Sequence, residues 1–209
     1  REGSAIPAEY IPEDRRLYQY EIVQEGEQRF LRFDGRLAKH LTLPLVEKAQ
    51  VDLTRTPVLE WRWRVHQIPQ GADEERDETN DVAASVYIAF KLNKVLFRRI
   101  PQTIRYTWSS TQRKGRVIDK FFGNQKVIVL ESGQDNLGEW RTVRVNLLED
   151  YERVFGEPPP PHPLALLILS DANDTGSWAV ADYDDFRLIS TNGASGHRAT
   201  HTLQPAEIP

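Results

Sequence analysis

Between positions 59 and 65 the chain alternates strictly: Leu59, Trp61, Trp63 and Val65 share one parity, and Glu60, Arg62 and Arg64 the other. A period of two belongs to a β-strand with one buried face, because successive side chains project to opposite sides. The pattern recurs. At 85–90, Val86, Ile88 and Phe90 oppose Ser85, Tyr87 and Ala89; at 103–108, Ile104, Tyr106 and Trp108 oppose Thr103, Arg105 and Thr107. Short runs rich in β-branched and aromatic residues at 17–23, 29–33, 126–131 and 142–145 lie between turn or polar clusters, and a continuous apolar run at 164–169 reads as a buried strand. Only 146–156 predicts a helix. There Asn146 serves as cap, Glu149 stands three residues on, and Leu147, Tyr151 and Val154 share a face before Gly156.

Many short strands at this spacing predict an all-β sandwich. At 209 residues the chain is long enough for one large domain with a sizeable core. That domain is placed at 16–190. It is preceded by an arm at 1–15, rich in prolines and charges, and followed by an extended or flexible tail at 191–209 of small, polar and proline residues. A net charge of -4 argues against a nucleic-acid partner. No apolar stretch reaches the length of a membrane span. Cysteine is absent, which excludes disulfides and thiol chemistry. Methionine is absent too and the first residue is Arg1, so the chain is read as lacking its translated start, with any signal peptide already removed.

Parity also sorts the candidate chemistry. Placed in one sheet, the strands at 58–65, 82–91 and 103–109 have an aromatic inner face and an outer face carrying Glu60, Arg62, Arg64, Tyr87 and Arg105. Arginine forks pair with carboxylate and phosphate, and a tyrosine can cover a sugar ring, so an anionic glycan suits that face. Cross-strand charge pairs on a solvated face account for the same residues. Trp178, just after an acidic turn, and Trp140, after a glycine-containing turn, are candidates for the rim of a site. In that acidic turn Asp171, Asn173 and Asp174 can offer oxygens to calcium, with Asp182, Asp184 and Asp81 adding more. The same residues also serve as turn caps through local backbone bonds. A nucleophile elbow and a glycine-rich phosphate loop are missing, and no Glu-x-Asp or Glu-x-Glu pair lies within the central strands. His197 and His201 have helical metal-pair spacing, but in a tail unsuited to a helix. Catalytic residues are therefore assigned to none of these positions, and structural calcium is the one cofactor candidate.

Several of these segments occur in a recognisable order: Leu59 to Val65, Asp81 through Val86-Tyr87-Ile88-Ala89-Phe90, Tyr106 to Ser110, Glu131-Ser132-Gly133 with Leu137 to Trp140, Asp150 to Glu157, and Ser170 to Gly176. Together, over roughly 16–188, they resemble the bacterial domain-of-unknown-function family 3047. The resemblance implies a jelly-roll sandwich like galactose-binding and carbohydrate-binding modules, exported to the periplasm of Gram-negative bacteria or secreted. It implies no activity. Asp73, Glu74, Glu75, Asp77, Glu78 and Asp81 fill the family's acidic cluster before the Val-Tyr-Ile-Ala-Phe strand. The resulting expectation is a non-catalytic envelope module that binds a glycan, in particular an acidic polysaccharide, or an envelope protein. Two alternatives stand beside it: a lyase or hydrolase acting on an acidic polysaccharide, and a protein-interaction scaffold.

Overall fold

The computed structural model describes residues 20–37, 40–95, 97–191 and 201–202. The arm at 1–15 and most of the tail at 191–209, with His197, lie outside the described residues. In chain order the elements are β1 (Tyr20–Glu25), β2 (Gln28–Gly35), β3 (Leu41–Pro44), α1 (Leu45–Lys48), β4 (Val58–Gln67), β5 (Val82–Val95), β6 (Arg98–Ser109), β7 (Val117–Lys120), β8 (Gln125–Ser132), β9 (Arg141–Asn146), α2 (Leu147–Phe155), β10 (Ala165–Asp171), β11 (Ala179–Ile189) and β12 (His201–Thr202). They form two packed sheets, the all-β sandwich that the alternation predicts. Sheet A runs β1-β2-β11-β4-β9 with β12 also beside β11, and sheet B runs β3-β10-β5-β6-β8-β7.

The core lies where the inner parities of the two sheets meet. Leu59, Trp61, Trp63 and Val65 of β4 face Val86, Ile88 and Phe90 of β5 and Ile104, Tyr106 and Trp108 of β6, all nearly or wholly removed from solvent. Aromatic rings span the gap at ordinary tilted and edge geometries, with centroids 5.8 Å apart for Trp61 and Tyr106 and 6.1 Å for Trp63 and Trp108. Polar links cross the same interior, among them the Ser170 amide of β10 donating to the Tyr20 hydroxyl of β1 at 3.1 Å. A register shift between Leu169 and Asp171 interrupts the β10–β5 ladder. There the Tyr183 hydroxyl of β11 donates to the Leu169 carbonyl at 3.0 Å and accepts from the Ser85 amide at 3.2 Å. It also bonds Ser170 Oγ at 2.8 Å. Buried backbone groups left without ladder partners are costly, so the hydroxyl stabilises the bulge and ties sheet A to sheet B.

The predicted helix is present as α2. Asn146 Oδ1 accepts from the Leu148 and Glu149 amides, and Gly156 ends the helix in the left-handed region at φ 73°. Strands β3 and β7 and the single turn α1 have no counterpart in the sequence reading.

The expectation of a single arginine-rich outer face is corrected by the topology. Strand β4 belongs to sheet A, whereas β5 and β6 belong to sheet B. Two sheets whose inner faces meet turn their outer faces in opposite directions, so Glu60, Arg62 and Arg64 point away from Tyr87 and Arg105. Nor is the outer face of sheet B open: Ser85, Tyr87, Thr103, Arg105, Thr107 and Ser109 are all buried. The segment between β4 and β5 crosses it as an acidic strap. Glu74 accepts from Ser109 Oγ at 2.6 Å, Glu75 pairs with Arg116, Asp77 meets Lys120 Nζ at 2.7 Å, and Asn80 accepts from Arg105 Nη1 at 3.1 Å. The acidic cluster singled out in the sequence is thus largely spent in fastening this strap. Arg105 also donates from Nε to Ser85 Oγ at 2.9 Å, and its guanidinium carbon lies 5.4 Å from the Tyr87 ring centroid.

Candidate functional site

The outer face of sheet A is where polar side chains collect in register. Asp182 on β11 lies directly between Arg32 on β2 and Arg64 on β4, and Asp184 stands beside Arg62 one step along. This row is cross-strand charge pairing at its closest. Arg32 reaches Asp182 from Nε at 2.6 Å and Nη2 at 3.0 Å, and Arg64 from Nε at 2.8 Å. His66 Nε2 is 2.7 Å from Asp182 Oδ2. The Asp182 side chain has no solvent exposure. Burial pushes its carboxyl up, but the bonds from Arg32, His66 and Arg64 outweigh burial and hold it below the usual carboxylate range.

A bulge completes the second row. The register slips between Asp184 and Arg187, and Asp185 takes the left-handed region at φ 54°, which an aspartate tolerates better than most residues. Asp184 and Asp185 are thereby both brought to Arg62, with Oδ2 of Asp184 2.7 Å from Nη2. Asp185 Oδ2 is 2.9 Å from Nε, close enough for ion pairing although not aligned as a hydrogen bond. Glu25 at the β1 edge bridges Arg64 at 3.0 Å and Arg32 at 3.4 Å. Glu60 is taken by Arg144 of β9 at 2.8 Å.

Aromatic rings flank this array. Trp140, half-buried just before β9, has the guanidinium carbons of Arg64 and Arg62 4.7 and 4.9 Å from its ring centroid. It meets Phe30 edge-on at 5.3 Å. Arginine planes held between aromatic rings and carboxylates lose their rotamer freedom before any ligand arrives. Trp178 is half-buried at the other end, donating from Nε1 to Asp34 Oδ1 at 2.7 Å. Asp34 shares the parity of Phe30 and Arg32 on β2 and stands about 13 Å along the strand from Phe30, at about 3.3 Å per residue, so the two tryptophans border one face at different points of the strand.

Of the residues proposed from sequence, Glu60, Arg62, Arg64 and Trp178 therefore share a face with Asp182 and Asp184, whereas Tyr87 and Arg105 lie under the strap on the opposite side. Asp182 and Asp184 are bound to arginines, away from the acidic turn with which they were grouped. In that turn Asp171 accepts from the Asn173 amide at 3.2 Å, and Asn173 Nδ2 donates to Asp174 at 2.9 Å. Both oxygens of Asp81 serve the Asp174 and Thr175 amides and the Thr175 hydroxyl. This is turn capping. No group of three or more His, Asp or Glu side chains arranged for a metal ion exists among the described residues. Burial, with smaller contributions from Asp81 and Asp174, raises the Asp171 carboxyl to about 6.

Phe30, Arg32, His66 and Glu25 were missed in the sequence. Their signal is complementarity between strands: Arg62-x-Arg64 and Asp182-x-Asp184 are mirror patterns of one parity, and Phe30-x-Arg32-x-Asp34 repeats that parity.

Among the described residues, fold and surface together define a β-sandwich with one closed outer face and one charge-balanced face edged by tryptophan. The chain belongs to a family of proteins of unknown function, DUF3047, whose model matches residues 8–187. Among solved structures, it is similar to the family 30 carbohydrate-binding module of the cellulosomal cellulase Cel9D-Cel44B of Clostridium thermocellum. The identity is 13%, the TM-score 0.45, and the match covers 85% of this chain and 88% of that one. Comparison with curated proteins gives no match.

Proposed function

We propose that the chain is a non-catalytic glycan-binding module of the bacterial envelope, with the outer face of sheet A as its binding surface. The observation that carries this reading is the pair of half-buried tryptophans, Trp140 and Trp178, at either end of a rigid array of donors and acceptors. Sugar rings need both features: apolar ring faces stack on indole, and hydroxyls exchange hydrogen bonds with fixed polar groups. The array also narrows the ligand class. Arg32, Arg62 and Arg64 are already matched by Asp182, Asp184, Asp185 and Glu25, so an anionic sugar must displace a carboxylate to reach a guanidinium. A neutral or weakly charged polysaccharide meets no such cost, and it replaces the acidic polysaccharide as the preferred ligand.

The test is calorimetric titration with a panel of neutral and acidic polysaccharides. Trp140→Ala is expected to weaken binding to the preferred neutral glycan at least tenfold, since truncating an aromatic anchor of an interface costs about 2 kcal/mol or more. Its thermal midpoint should fall modestly with the fold retained, because the ring packs on Phe30 and on the guanidinium groups of Arg62 and Arg64. Unaltered affinity in Trp140→Ala and Trp178→Ala would remove this face from consideration. Chain cleavage by the wild type would instead favour an enzyme, with the His66–Asp182 pair as its first acid–base candidate. Fractionation of the producing cell tests the envelope location.

A further inference from the structure

At one end of sheet B two hairpins carry the opposite of what a solvated tip carries. The β5–β6 hairpin is buried as far as Phe90 and then runs on with its residues largely exposed, to the pairing of Val95 with Arg98. Phe97 at its tip is 100% exposed and Leu92 52%. The β7–β8 turn lies alongside, fastened by Asn93 Nδ2 donating to Asn124 Oδ1 at 2.9 Å and by the Thr103 amide donating to the Asn124 carbonyl. In that turn Phe121 is 60% and Phe122 94% exposed. Six large apolar side chains are exposed among the described residues, and four of them stand here.

The turn is also strained. Phe121 and Phe122 adopt φ of 51° and 56°, a region that disfavours bulky side chains and that glycine or asparagine fills at lower cost. An exposed aromatic pair kept in such a conformation contributes nothing to the core. Strain of this kind concentrates where function requires it.

Charge identifies the occupant. Neither 91–101 nor 120–126 contains an acidic residue, whereas together they hold Lys91, Lys94, Arg98, Arg99, Lys120 and Lys126. Lys91, Lys120 and Lys126 pair with Glu157, Asp77 and Asp119. Lys94, Arg98 and Arg99 are exposed, and no ion pair engages them among the described residues. Protruding aromatic tips ringed by free cations match a lipid surface: the rings enter the interfacial layer while the cations meet anionic headgroups. A protein interface has a continuous apolar core within a polar rim, whereas these rings protrude singly from turns among exposed cations.

We infer that this end of sheet B is a peripheral membrane-contact site, in which Phe97, Phe121 and Phe122 insert at the surface of an anionic bilayer and Lys94, Arg98 and Arg99 hold its headgroups. The site is independent of the glycan face.

Flotation of the full chain with vesicles tests it, using a phosphatidylglycerol–phosphatidylcholine mixture against phosphatidylcholine alone. The wild type is expected to float with the mixture and not with phosphatidylcholine alone, and to be released as salt rises. Each basic residue near an anionic surface strengthens binding by about fivefold, so Lys94→Gln, Arg98→Gln and Arg99→Gln together should weaken partition by about a hundredfold. Phe97→Ser with Phe122→Asn should weaken it at least tenfold while leaving the thermal midpoint unchanged or raised. Failure of the wild type to float overturns the inference. So does full retention of binding by the aromatic variant, which reduces the contact to adsorption by charge. A vesicle-independent oligomer that Phe97→Ser dissolves overturns it as well, by making a second copy of the chain the occupant.

Discussion

Two aspartates of one chain are driven in opposite directions by their surroundings. Asp182 is buried among Arg32, Arg64 and His66 and held below the usual range, whereas Asp171 is half-buried near Asp81 and Asp174, with no arginine paired to it among the described residues, and is raised to about 6. The consequences for stability have opposite signs. A carboxyl raised on folding binds protons more readily in the native state, so its contribution improves as pH falls from about 6 towards the unfolded value of 3.8 and worsens as pH rises. Asp182 contributes stability throughout that window and loses it only below 3.8. Asp171→Asn is therefore expected to stabilise the protein near pH 7 by about 1–2 kcal/mol, partial solvation reducing the full effect. The advantage should shrink to nearly nothing by about pH 4. Chemical denaturation of both forms across pH 4–7 measures it, and parallel stability curves would show that Asp171 has an ordinary carboxyl. Neither environment was legible from sequence. Spacing grouped Asp171 with Asp182, but Asp182 is set by side chains from strands more than a hundred residues away in the chain, and Asp171 by burial and by Asp81 from the segment before β5.

Elements were legible where local rules dominate. The α2 cap depends on a side chain and amides two and three residues on, and the sequence located Asn146, Glu149 and Gly156 correctly. Asn146→Ala should cost about 1 kcal/mol. A thermal midpoint unchanged in that variant would mean that packing of Leu147 and Tyr151 alone holds the helix. The burial of Trp61, Trp63 and Trp108 was equally legible, because parity alone decides it. Sheet membership was not, since a period of two says which residues share a face and nothing about which sheet the strand joins. The proposed binding face failed at that step. Strand β7, the four residues Val117–Lys120, presents too short an alternation to register. Conversely, the strap over sheet B holds the sequence's densest acidic run, and its role depends on distant partners such as Ser109, Arg116 and Lys120.

At the scale of the molecule the two proposed surfaces occupy different places on the sandwich. The glycan face is the outer side of sheet A, built by β2, β4 and β11, while the membrane contact is an end of sheet B, built by the β5–β6 and β7–β8 hairpins. No side chain named in one is named in the other, and the rigid double-sheet core lies between them. Sites without shared partners perturb a protein independently, so their effects should add. Trp140→Ala is expected to lower glycan affinity at least tenfold with vesicle partition unchanged, and Phe97→Ser with Phe122→Asn to do the reverse. Combining them should reproduce both losses with neither enlarged. The salt responses should differ too: the arginines of sheet A are internally paired, so neutral glycan binding should hardly change between low and physiological salt, whereas vesicle binding should fall steeply. Wild-type protein on anionic vesicles should still capture the preferred glycan with its solution affinity, as measured by flotation with labelled polysaccharide. Loss of glycan binding on the vesicle would place the two surfaces in competition for one orientation of the molecule, and would count against one of the two assignments.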